Sequence, residues 1–158
     1  MMEVSPTAVV LKYVGSVPVD LNGMARELGL VVTYDPHLPG SIAGKLERDK
    51  TSPSGFRVTV NASDNTWRQR FTLAHEIAHF VLHRDLLTDG VVDNALYRSS
   101  LSDEYERDAD RFAASIILPA EAVRRAYRTE QRLGPLADLF NVSGQAMRIR
   151  AKELRLGG

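Results

Sequence analysis

The chain contains no cysteine. Disulfides and thiolate metal sites are thereby excluded, and any metal centre must be built from imidazoles and carboxylates. The lack also fits a reducing compartment. Net charge is missing too, because twenty lysines and arginines balance twenty aspartates and glutamates. Nothing global then draws the chain to nucleic acid or to an anionic membrane. No apolar run approaches the roughly 20 residues that a membrane span requires. The opening Met1-Met2-Glu3-Val4-Ser5-Pro6 has neither the basic nor the apolar region of a signal peptide. A soluble cytoplasmic protein without a membrane partner is expected. Low-complexity tracts and solenoid-period repeats are absent, and 158 residues suffice for one domain with a real core.

What is present reads as α+β. Ser5-Pro6 opens a capped helix that stops at Gly15, and Asp20 caps a second, with Leu21, Met24, Ala25 and Leu28 on one face and Gly29 as its stop. Leu30 to Tyr34, Ser41 to Glu47 and Phe56 to Asn61 read as strands separated by Pro/Gly-rich or polar turns. They predict a small antiparallel sheet leading into a long helix, with Asp64 or Thr66 as its cap.

That helix carries His75-Glu76-Ile77-Ala78-His79. Residues four apart on a helix stand about 6 Å along the axis and nearly on one line, so both imidazoles can aim at one point. Two such nitrogens suit zinc, and Glu76, rotated off the line, can reach a water on the metal without binding the metal itself. On a wheel of about 100° per residue, Phe71, Ala74, Ile77, Ala78, Val81 and Leu82 form a buried sector. His75, Glu76, His79 and His83 lie in the opposite, polar one, with Leu73 and Phe80 at the boundary. The competing explanation is a solvated polar face that spells the motif by chance.

A catalytic zinc site needs a third protein ligand. His83 continues the stripe, but on a straight helix it lies about 12 Å along the axis from His75, too far to share one ion. It reads as a structural or rim histidine, and His37, in a Pro/Gly-rich loop, as a surface one. A second helix, Asp103 to Ile117, is closed by Pro119. Its apolar side comprises Ala109, Phe112, Ala113, Ile116 and Ile117. Glu106 and Asp110 fall on the flank of that side, whereas Glu104 and Asp108 point away. A carboxylate on a buried flank is costly unless it is paired or bound to metal. Glu106 is therefore the expected third ligand, and Asp110 the expected acceptor for the distal nitrogen of a ligand histidine. Ion pairs with Arg107 or Arg111 are the alternative, although those arginines face elsewhere on the wheel.

These residues carry a family likeness. Arg70-Phe71-Thr72-Leu73-Ala74-His75-Glu76-Ile77-Ala78-His79, followed by Glu106-Arg107-Asp108-Ala109-Asp110-Arg111-Phe112-Ala113-Ala114, resembles the ImmA/IrrE metallopeptidases and, more broadly, the gluzincin pattern. The resemblance implies a zinc endopeptidase that cleaves a helix-turn-helix transcriptional repressor, often encoded alongside, and so relieves repression in mobile elements or stress responses. Members tied to radiation tolerance carry a further sensory domain after the helical segment. This chain ends at Gly158, and a built-in damage sensor is not expected of it.

Beyond Pro119, Glu121 to Arg132 reads as a helix broken at Gly134-Pro135, and Leu136 to Phe140 as a short one. After a turn at Asn141-Val142-Ser143 comes a longer helix capped by Ser143. The last pair resembles a helix-turn-helix. From Glu121 onward eight lysines and arginines face four acidic residues, which permits DNA contact without demanding it. The expected organisation is a zinc metallopeptidase core over residues 1–120 and a helical segment over 121–158 packed on it. Expected roles are His75, His79 and Glu106 on Zn²⁺, Glu76 as general base and Asp110 behind a histidine. Tyr97, Arg98 or Tyr105 are candidate oxyanion donors by chain position. The rival from another class is a non-proteolytic DNA- or repressor-binding regulator, or a toxin–antitoxin component, that keeps the fold.

Overall fold

The computed structural model describes residues 5–87, the backbone of 91–94, and residues 103–157. The α+β expectation holds. In chain order the described elements are α1 (Pro6–Tyr13), α2 (Leu21–Glu27), β1 (Val31–Asp35), β2 (Gly44–Arg48), β3 (Phe56–Asn61) and α3 (Thr66–His83). These are followed by β4 (Val91–Asn94), α4 (Asp103–Ile117), α5 (Ala120–Tyr127), α6 (Leu133–Phe140) and α7 (Gly144–Glu153). Among the described residues no helix is long and apolar enough to cross a membrane.

Local chemistry sets many boundaries. The Ser5 hydroxyl accepts from Ala8 N and the Asp20 carboxylate from Gly23 N, capping α1 and α2. Gly29 leaves α2 at φ +80°, a conformation most side chains resist. The cap of α3 is neither Asp64 nor Thr66 but Asn65, whose Oδ1 accepts from Arg68 N at 2.9 Å. Asp64 instead pairs with Arg68 at 3.2 Å.

The sheet is mixed, not antiparallel, with order β1-β3-β2-β4. β2 pairs antiparallel with both β3 and β4, whereas β1 runs parallel to β3. The reason is that β2 and β3 form a hairpin with β3 inserted beside β1. The loop after β1 is long enough to step past that position, and buried Asn61 holds it by donating to Pro39 O and Ile42 O at 3.2 and 2.9 Å. β4 lies in the connection between α3 and α4, where Arg84–Leu86 form a 3-10 turn; residues 88–90 and 95–102 lie outside the described residues.

α3 packs on β2 and β3 on one side and on α4 on the other. Its closest approach to the sheet depends on Gly44, where a Cβ would stand 2.5 Å from Thr72 Cγ2 and 2.7 Å from Thr59 O. Arg70 anchors the helix further by donating to Val19 O at 3.0 Å. At the far end Arg84 donates to Phe80 O and Val81 O, covering carbonyls left open by the last turn.

The helical-wheel expectation needs correction. Every residue from Thr72 to Phe80 is buried, on both faces, because α4 covers the polar stripe while the sheet covers the apolar one. Phe71 and Leu82, expected inside, are each 42% exposed.

Helices α5, α6 and α7 contribute Val123, Leu136, Phe140 and Met147 to the same apolar core as the sheet. α6 begins at Leu133, so Gly134-Pro135 does not precede it. Pro135 sits in the first turn, where a missing N–H costs nothing. Asn141 ends α6 in the left-handed conformation, φ 56°, and Ser143 caps α7 through Ala146 N.

Candidate metal centre

Two adjacent turns of α3 and the first turns of α4 meet in one buried polar cluster. His75, His79 and Glu106 are all buried, and each offers a ligand atom within 4.8 Å of the others. His75 Nε2 lies 3.3 Å from Glu106 Oε2, and His79 Nε2 lies 3.0 Å from Glu106 Oε1. The two imidazole rings stand nearly perpendicular, at 86° with centroids 4.6 Å apart. Glu76 is wholly buried on the same turn of α3.

The short contact between His79 and Glu106 is informative. Neither His79 Nε2 nor Glu106 Oε1 has a hydrogen bond of acceptable geometry, although both are buried and 3.0 Å apart. Orphaned buried polar atoms are expensive. An imidazole nitrogen and a carboxylate oxygen converging on one buried spot suit a shared cation. With two imidazole nitrogens, one carboxylate and no thiol, the donor set fits a metal ion.

A second layer orients these groups. Asp110 Oδ1 lies 2.7 Å from His75 Nδ1, although its side chain is 58% exposed. On the other histidine, His79 Nδ1 meets His83 Nδ1 at 3.0 Å. His83 is buried, and its ring stands edge-on to Tyr105 with centroids 4.9 Å apart. His83 stands outside the group of converging ligand atoms and meets the ring of His79 instead, a partner not expected from the sequence. An i, i+4 pair of histidines was the available signal. Tyr97 and Arg98 lie outside the described residues, and His37 is exposed in its loop.

Electrostatics follow from this packing. Burial opposes a charge on His75, but Asp110 and Glu106 outweigh it and raise its pKa from 6.5 to about 10. Burial pushes Glu106 upward, yet the imidazoles of His75 and His79 hold it well below the usual carboxylate range. Burial, with His79 alongside, lowers His83 and keeps it neutral. A cation entering here would take the place of a proton on His75.

The sequence profile of the IrrE N-terminal-like domain, a peptidase family, matches residues 25–152. The chain belongs to the ImmA/IrrE metallopeptidase family. The match runs from α2 into α7 and contains every residue of the cluster. Metallopeptidase ImmA of Bacillus subtilis (strain 168) is 31% identical over 105 residues, 65% of this chain and 59% of its own. The radiation response metalloprotease IrrE of Deinococcus radiodurans is 33% identical over 144 residues, 77% of this chain and 43% of its own. The chain thus spans about half the length of these ImmA/IrrE relatives.

Proposed function

We propose that this chain is a zinc-dependent endopeptidase acting on a helix-turn-helix transcriptional repressor. The observation that carries the reading is the buried convergence of His75, His79 and Glu106 beside a fully buried Glu76. His75, His79 and Glu106 would hold the ion. Zinc so held supplies Lewis acidity, acidifying water toward a pKa of about 7 and polarising a carbonyl. Glu76 takes the proton as the water oxygen bonds to the scissile carbonyl carbon. It then delivers the proton to the amine as the carbon–nitrogen bond breaks. Asp110, 2.7 Å from Nδ1 of His75, would leave Nε2 of that ring available to the ion.

The repressor as substrate rests on the resemblance of the His75–His79 and Glu106–Asp110 segments to ImmA/IrrE metallopeptidases, and the cytoplasm is where such a target resides. We read α3 under its sheet as a zincin-type core over residues 1–120, and α6–α7 as a helix-turn-helix-like pair within 121–158. The modest basic excess of that segment makes direct DNA binding its weaker use.

The test is incubation with the helix-turn-helix protein encoded beside the gene, with zinc, with chelator, and with Glu76→Gln. Cleavage is expected only in the zinc lane of the unsubstituted protein. An intact substrate in every lane, with operator binding indifferent to chelator, would overturn the proposal in favour of a binding regulator.

A further inference from the structure

Next to the metal cluster lies an apolar groove of about 580 Å³, within the range of about 300–1,000 Å³ common for ligand sites. Trp67 and Phe71 from α3, Ala114 and Ile117 from α4, Val142 from the turn between α6 and α7, and Ile149 from α7 line it. Trp67, Phe71 and Ile149 are 44%, 42% and 53% exposed, a clustering that marks a binding surface more than chance. His75, His79 and Glu106 do not line the groove, but Phe71 joins it to their cluster. The Phe71 ring centroid is 6.3 Å from that of His75, and Ala114 stands one turn beyond Asp110 on α4. Its charges are satisfied from within: Arg68 pairs with Asp64 at 3.2 Å, and Arg150 pairs with Glu153 at 3.3 Å and donates to Leu118 O at 2.9 Å. An occupant therefore needs apolar side chains, not charge.

We propose that this groove receives the substrate polypeptide on one side of the scissile bond and selects large apolar residues there. Phe71 and Trp67 precede His75 by one and two turns, about 6 and 12 Å along α3. An extended chain advances about 3.3 Å per residue, so the selected side chains fall about two to four residues from the bond. The inference rests on the endopeptidase reading and names what that site recognises.

Trp67 is the sole tryptophan of the chain, so its emission reports the groove directly. Zinc-loaded Glu76→Gln protein is titrated with a decapeptide holding a Leu-Phe-Ile run, and with the same peptide carrying serines in its place. A saturable blue shift is expected with the first alone, weakened at least tenfold by Ile149→Glu. In parallel, unsubstituted protein and Ile149→Glu digest a mixed peptide library, with cut sites read by mass spectrometry. Enrichment of Leu, Ile, Phe and Met about two to four residues to one side should appear and be erased by the substitution. A silent Trp67, or an enrichment unchanged in Ile149→Glu, overturns the inference even where cutting proceeds. A concentration-dependent shift with doubled mass also overturns it, assigning the groove to a second copy. A Trp67 response with no peptide cut sustains the groove and counts against the endopeptidase reading.

Discussion

His79 and His83 face each other nitrogen to nitrogen, Nδ1 to Nδ1 at 3.0 Å. One of the two must hold the proton. Were Nε2 of His79, the atom facing Glu106, to bind the ion, Nδ1 of His79 would carry that proton and His83 would accept the hydrogen bond. Replacing His83 with Phe keeps a ring in the cavity but removes the acceptor. Zinc affinity, measured against a chromophoric chelator, should fall roughly 10–100-fold, with partial recovery in His83→Asn. An affinity unchanged in His83→Phe would relegate the residue to packing.

Glu106 and Glu104 test the helix-face argument. Glu106 is buried against both histidines, whereas Glu104 is exposed two residues earlier. Glu106→Ala should lose most zinc binding by calorimetry, and Glu104→Ala almost none. Comparable losses would show that the wrong face of α4 had been chosen.

The metal-free protein should carry a pH signature. His75 has a folded pKa raised to about 10 from 6.5, so its contribution to stability is complete below about 6.5 and disappears as pH rises through about 10. Glu106 is depressed instead; its contribution is present above about 4.5 and is lost as acid protonates it. Melting temperature in chelator should decline on the alkaline side. Asp110→Asn, which removes a main cause of the raised pKa, should flatten that decline. A slope identical in both proteins would separate Asp110 from His75 energetically.

Gly44 sets the spacing between the sheet and α3. Gly44→Ala places a methyl against Thr72 Cγ2 and the backbone oxygen of Thr59. Overpacking of this kind costs about 1–3 kcal/mol, and chemical denaturation measures it. Adding Thr72→Ser removes one clash but not the other, so rescue should be partial. Full stability in Gly44→Ala alone would show that the sheet can retreat from the helix freely.

Much of this was legible because short-range rules are strong. Caps at Ser5, Asp20 and Ser143, and the i, i+4 spacing of His75 and His79, need only a neighbouring turn to express themselves. Glu106 could be singled out from Glu104 because a helix fixes which side each occupies. The errors came where distant segments decide. Which strand lies beside β1 depends on a hairpin closing next to it, and nothing in Val31–Asp35 encodes that choice. Phe71 belongs to the apolar sector of α3 by pattern, yet α4 covers the opposite stripe and leaves Phe71 at the groove. The separation of His83 from His75 says nothing about His79, its partner one turn away.

The cluster spans two helices whose contributions differ in origin. His75 and His79 come together whenever α3 winds, but Glu106 lies on a separate helix, beyond β4 in the chain. In an unfolded chain bringing the two segments together has an entropic cost which grows with loop length. An ion gripped by all three residues therefore acts as a cross-link between α3 and α4, favouring the folded state by mass action. At a free concentration a hundred times its dissociation constant, the gain is about 2.7 kcal/mol. Metal supply in the cell would then govern how long the protein persists as well as how fast it works.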